Sequence, residues 1–113
     1  MKTLTCILAA ASLAGCVVHP TSPGQTVFAL ESSYEAALTA AVAYKHLPVC
    51  AAQVTPVCHS PAVVNQLVAA DARAHDALMG AEAIVRAHGT QAQVTAAVAL
   101  AQVAIADFRG LTR

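Results

Sequence analysis

From Thr26 onward, apolar side chains return at steps of three and four: Val27, Leu30, Tyr34, Ala37 with Leu38, Ala41 and Tyr44, as far as Leu47. A stripe of this period lines one face of an α-helix and predicts one over residues 26–46. Pro48 sets the far limit, because the residue before a proline is pushed out of the helical region. Ahead of the stripe, Ser22-Pro23-Gly24-Gln25 has the form of a capping box. Residues 48–60 then hold two prolines and two cysteines with no stripe, and read as a connecting loop.

Ser60-Pro61 restarts the pattern, with an N-cap residue followed by a proline at the first helical position, where its missing N–H has no cost. Val63, Leu67, Ala70, Ala74, Ala77 with Leu78, Ala81 and Ile84 with Val85 form the inner face of a helix over residues 61–88. Asn65, Gln66, Arg73, Asp76, Glu82 and Arg86 take the other faces, with Glu82 and Arg86 spaced as a supporting pair. His88-Gly89 is a stop signal, with Gly89 expected in the left-handed conformation. Thr90-Gln91-Ala92-Gln93 is a second capping box, and Val94, Ala97 with Val98, Ala101, Ile105 and Phe108 predict a third helix over residues 91–109. The connection between the second and third helices is so short that they must be antiparallel neighbours. The fold class expected is all-α, a small antiparallel three-helix bundle over residues 26–113.

Composition agrees with helices and narrows the partners. Alanine supplies 28 of the 113 residues, tryptophan is absent, and Lys plus Arg balance Asp plus Glu at 6 each. With charged residues at 11% and a net charge of zero, no broad basic surface exists for nucleic acid. Beyond residue 20 no run of eighteen apolar residues occurs, which argues against a chain that crosses a membrane repeatedly.

The N-terminus differs in kind. Lys2 is followed by an uncharged stretch from Leu4 to Ala14 and then by small residues, the pattern of a signal peptide. At about 1.5 Å per residue this stretch spans about half of a ~30 Å hydrocarbon core, too little for a lasting transmembrane anchor. Residues 16–25, with two prolines, a glycine and small polar side chains, read as a tether, in which His19 is a solvated linker residue.

Chemistry-bearing residues are sparse. Cys6 lies in the leader, which leaves Cys16 near its end and Cys50 with Cys58 in the loop. In an exported chain the loop pair reads as a disulfide closing a short, turn-rich segment of a small domain. The alternative is a zinc or copper site using Cys50, Cys58, His59 and His46, but the spacing fits no standard site. A redox pair is disfavoured because no Cys-X-X-Cys is present. Asp71 and His75 fall one helical turn apart, beside Asp76, yet no nucleophile accompanies them, so these three read as solvated surface. No phosphate-cradling glycine loop, nucleophile elbow or His-Glu-X-X-His occurs. Tyr34 and Tyr44 are expected as half-buried core residues, and small residues such as Ala36, Ala40 and Ala43 would let another helix approach.

Leu13-Ala14-Gly15-Cys16 resembles the lipobox of bacterial lipoprotein precursors. The resemblance implies cleavage between Gly15 and Cys16, a thioether-linked diacylglycerol and an amide-linked acyl chain on Cys16, and a lipid anchor facing the periplasm. Val17 stands where enteric lipoproteins retained in the inner membrane carry Asp, so in a host with two membranes the outer one is favoured. Tyr34 through Tyr44, Leu47-Pro48-Val49-Cys50, Cys58 and Pro61-Ala62-Val63-Val64 resemble small alanine-rich proteins of phages and prophages. That resemblance brings in lysis-related lipoproteins such as the outer-membrane spanin subunit, from whose proline-rich, short form this chain departs. The reading is a non-enzymatic, lipid-anchored helical module of the cell envelope, needing no cofactor and contacting an envelope protein or the wall. A metal-handling lipoprotein is the alternative tied to Cys50 and Cys58.

Overall fold

The computed structural model describes residues 22–51 and 57–112. Gly15, Cys16 and the leader lie outside the described residues. Three helices make up the fold: α1 (Pro23–Lys45), α2 (Pro61–Arg86) and α3 (Gln91–Leu111). Among the described residues there is no strand, only one isolated bridge between Val49 and His59. All three helices touch one another, α2 and α3 most extensively, which gives the expected three-helix bundle.

Two of the helix starts follow from capping boxes. Ser22 Oγ accepts from the Gln25 N–H at 3.3 Å while Gln25 Oε1 accepts from the Ser22 N–H at 3.2 Å. This satisfies orphan donors of the first turn and places the start of α1 at Pro23, ahead of the expected residue 26. The first turn holds no apolar side chain before Val27, so periodicity alone cannot see it. Gly24 and Gln25 therefore belong to the helix, and the expected tether of residues 16–25 loses its last three positions to Pro23, Gly24 and Gln25. Thr90 and Gln93 repeat the device for α3, at 2.8 Å and 3.3 Å.

The end of α2 departs from expectation. Ala87 is the C-cap, and the left-handed residue after it is His88 (φ 54), not Gly89, whose φ is not positive. The His88 N–H donates to the Val85 carbonyl at 3.1 Å and the Gly89 N–H to the Ile84 carbonyl at 2.9 Å, the paired bonds of a Schellman motif. Gly89 is required for space: a Cβ there would lie 2.6 Å from Ile84 Cγ2. At the other end of the chain, α3 runs through Gly110 to Leu111 and is capped at Thr112.

The core is Val27, Leu30, Ala37 and Ala41 of α1, Leu67, Ala70, Ala74, Leu78 and Ala81 of α2, and Val94, Ala101, Ile105 and Phe108 of α3. Every one belongs to a predicted stripe. Six of these are alanines, and Ala74 and Ala101 are wholly inaccessible (0%), so the helices approach closely there. Phe108 is the large side chain that is completely buried.

Candidate functional site

The up-down-up order brings the end of α1, the start of α2 and the end of α3 to one end of the bundle, where the loop with the two cysteines sits. Cys50 and Cys58 are joined at disulfide distance, with their Cα atoms 4.9 Å apart. The stem of the loop has its own bonds. The Cys50 N–H donates to the His59 carbonyl at 2.9 Å and the His59 N–H to the Pro48 carbonyl at 2.8 Å. His59 Nδ1 meets the Leu47 carbonyl, which can only accept, so Nδ1 carries a hydrogen and donates it. Ser60 holds the N-cap position of α2 as expected, yet its side chain makes no capping bond. Its N–H instead donates to the Tyr44 hydroxyl at 2.9 Å, and the Tyr44 ring lies edge-on to His59 at 6.1 Å. With the two sulfurs bonded to each other, no thiolate is available to join His46 and His59 around a metal. Among the described residues, no group of three or more His, Cys, Asp and Glu side chains converges.

Farther along the α1–α2 seam, the Tyr34 hydroxyl donates to Asp71 Oδ1 at 2.6 Å. Asp71 is thus a partly buried acceptor, which corrects the expectation of a solvated carboxylate, whereas His75 and Asp76 are exposed as expected. Burial, then the hydrogen bond to Asp71 and its negative charge, push the Tyr34 hydroxyl up to about 12. The Tyr34 ring also sits 6.0 Å from Phe108 and 6.1 Å from His75, so it links the core to the surface. Nearer the start of α1, desolvation raises the Glu31 carboxyl, helped by a hydrogen bond and repulsion from Glu82 and by repulsion from Glu35. Glu82 in turn pairs with Arg86 at 3.1 Å across one helical turn, and the exposure of Arg86 keeps that pair weak.

Between the Tyr34–Asp71 bond and the Tyr44–Ser60 bond at the loop stem, the seam opens into a groove of about 140 Å³, lined among others by Leu38, Val42, Val64, Val68 and, at its floor, Phe108. Lys45 stands at its rim near the loop and Asp71 at the opposite rim. Val42 and Val68 are 46% and 59% exposed, as are Val49 (56%) and Val57 (59%) on the neighbouring loop. A second groove, of about 360 Å³, lies between the starts of α1 and α3, lined by Ser22, Thr26, Gln91, Val94, Val98 and Gln102 among others. The α1–α2 groove was invisible in the sequence because it is formed by residues some 25 positions apart, Leu38 and Val42 against Val64 and Val68. The Tyr34–Asp71 bond, spanning 37 positions, escaped for the same reason.

No protein-family model, curated protein or solved structure matches this chain.

Proposed function

We propose that this chain is a lipid-anchored, non-enzymatic module of the cell envelope that holds a partner protein in its α1–α2 groove. The observation that carries the reading is the groove itself: an apolar recess floored by a fixed aromatic ring and rimmed by one cation and one hydrogen-bonded carboxylate. Its volume is close to the ~150 Å³ of an engineered apolar cavity that accepts benzene, so it suits one aromatic or branched aliphatic side chain. A single buried anchor of that kind, ringed by weaker contacts, supplies much of the affinity in small interfaces. The disulfide-closed loop that follows α1 exposes two further apolar side chains, Val49 and Val57.

The anchor is supported by Leu13-Ala14-Gly15-Cys16, with acylation at Cys16 and cleavage after Gly15. Each buried methylene contributes about 0.8 kcal/mol, so two or three chains hold a small domain firmly where one does not. Val17 supports the outer membrane as the destination in a host with two membranes.

Two measurements test the reading. Intact mass of the mature protein is expected to give a chain beginning at acylated Cys16, and Cys16→Ser to leave an uncleaved or soluble product; an unmodified chain starting elsewhere removes the anchor. A photo-crosslinker placed at Val68 in cells is expected to trap one defined partner, and Val42→Glu to abolish that adduct. Indiscriminate adducts, or one unaffected by Val42→Glu, remove the groove as the binding surface.

A further inference from the structure

We infer that the outward side of α3 lies against the lipid surface, so that the bundle rests on its side with the α1–α2 groove facing away from the membrane. The inference rests on the lipid-anchored reading above and adds an orientation to it. Five residues separate Cys16 from Ser22, where the bundle begins, so six Cα–Cα steps give a covalent reach of at most about 22 Å. Ser22 is at the same time a wall of the groove between the starts of α1 and α3, so the tether leaves the bundle beside the first turn of α3.

Charge distribution favours the same side. From Gln91 through Ala106, α3 carries no charged residue, whereas Glu31, Glu35 and Lys45 lie on α1 and Asp71, Arg73, Asp76, Glu82 and Arg86 on α2. Resting on α1 or α2 would strip water from those charges, and resting on α3 strips it from none before Asp107. What α3 offers instead is an apolar patch without charge: Leu100 is 68% exposed and Val103 61%, whereas Phe28 on α1 (68%) and Met79 on α2 (47%) share their helices with those charges. By length and composition α3 could cross a membrane, but its inward positions Val94, Ala101, Ile105 and Phe108 are committed to the core. Only 22% of its most apolar stretch is fully buried; Ala97, Val98 and Ala104 are half-buried against the core, and Leu100 and Val103 are left for a surface contact. Once the anchor has brought the domain to the bilayer the second contact is intramolecular, so a modest apolar face suffices to set the orientation.

In a triangular bundle the outward side of α3 points away from the α1–α2 seam, where Val68 lies. Val68 is therefore the control position. The mature acylated protein is reconstituted in phosphatidylcholine vesicles with an environment-sensitive fluorophore on Val103→Cys, Leu100→Cys or Val68→Cys, each exposed enough to carry it, and helical content is checked by circular dichroism. The native cysteine pair is oxidised and does not take the label. Labels at Val103 and Leu100 are expected to shift to the blue and to be quenched several-fold more by lipid-borne nitroxide than the Val68 label, with the order reversed for aqueous iodide. Protein that floats with the vesicles but quenches equally at all three sites, or more at Val68, overturns the orientation and leaves the anchor standing. Protein that carries no acyl mass and does not float overturns both.

Discussion

Opening the Cys50–Cys58 bond is the perturbation that most directly tests how the groove end is held together. The two cysteines are 8 positions apart. In the chain-entropy account, a loop of about nine residues restricts the unfolded chain by about 2.6 kcal/mol at 25 °C. For a domain of under 100 residues that corresponds to a drop of about 10 to 20 °C in thermal midpoint on reduction. The stem bonds decide how much native structure survives. If the disulfide is what keeps Pro48, Cys50 and His59 in register, the Tyr44–Ser60 bond weakens with it. Tyr44→Phe leaves the partly buried Ser60 N–H without its acceptor and is expected to cost about 1 kcal/mol in the oxidised protein. In the reduced protein the same substitution should cost clearly less, because the frayed stem already exposes that N–H to water. The assay is a thermodynamic cycle of four urea or thermal melts, wild type and Tyr44→Phe, each oxidised and reduced. A midpoint that does not fall on reduction refutes the staple, and equal costs of Tyr44→Phe in the two states refute the coupling between bond and stem.

Three further outcomes are expected. Phe108→Ala, which empties the one large, fully buried position among the described residues and opens the floor of the groove, should destabilise the bundle by about 3 to 5 kcal/mol in urea unfolding. Gly89→Ala should cost about 1 to 3 kcal/mol through the collision with Ile84, and Ile84→Ala in the same chain should recover part of that loss. Because the Tyr34 hydroxyl in the folded state titrates above its ordinary value of 10.0, its contribution is fully present below pH 10 and is lost as pH rises through about 12. Tyr34→Phe should flatten stability over that window, and phenolate absorbance should place one of the two tyrosines late in the titration.

The core positions could be read along the chain because each stripe repeats over about four to six turns, and the residues removed from water all belong to those stripes. The cysteine pair was legible because Cys50 and Cys58 share one short, turn-rich loop and each is the other's nearest cysteine along the chain. Helix ends were harder. Ser22 and Gln25 were recognisable as a capping box, yet the first apolar residue drew the boundary to Thr26, a turn too late. At the close of α2, Gly89 drew the left-handed assignment by its lack of a side chain, while the structure uses that lack to clear Ile84 and places His88 in the strained position. The hydroxyl bonds of Tyr34 and Tyr44 and the groove between them depend on the pairing of α1 with α2, and nothing local in either helix encodes that pairing.

The alanines at the centre of the bundle make its tolerance to change one-sided. Ala74 and Ala101 have no accessible surface, and their methyl groups set how near α2 and α3 lie. Trimming such a position to glycine removes little volume and costs about 1 kcal/mol, chiefly in backbone freedom. Enlarging it to leucine must drive two helix backbones apart, and Phe108, which α3 contributes both to the same core and to the lining of the recess, is displaced with its helix. Variants of this chain should therefore accumulate losses of volume at these centres far more readily than gains, and drift toward larger residues should be found only where two helices move together, with the shape of the recess altered as the visible trace.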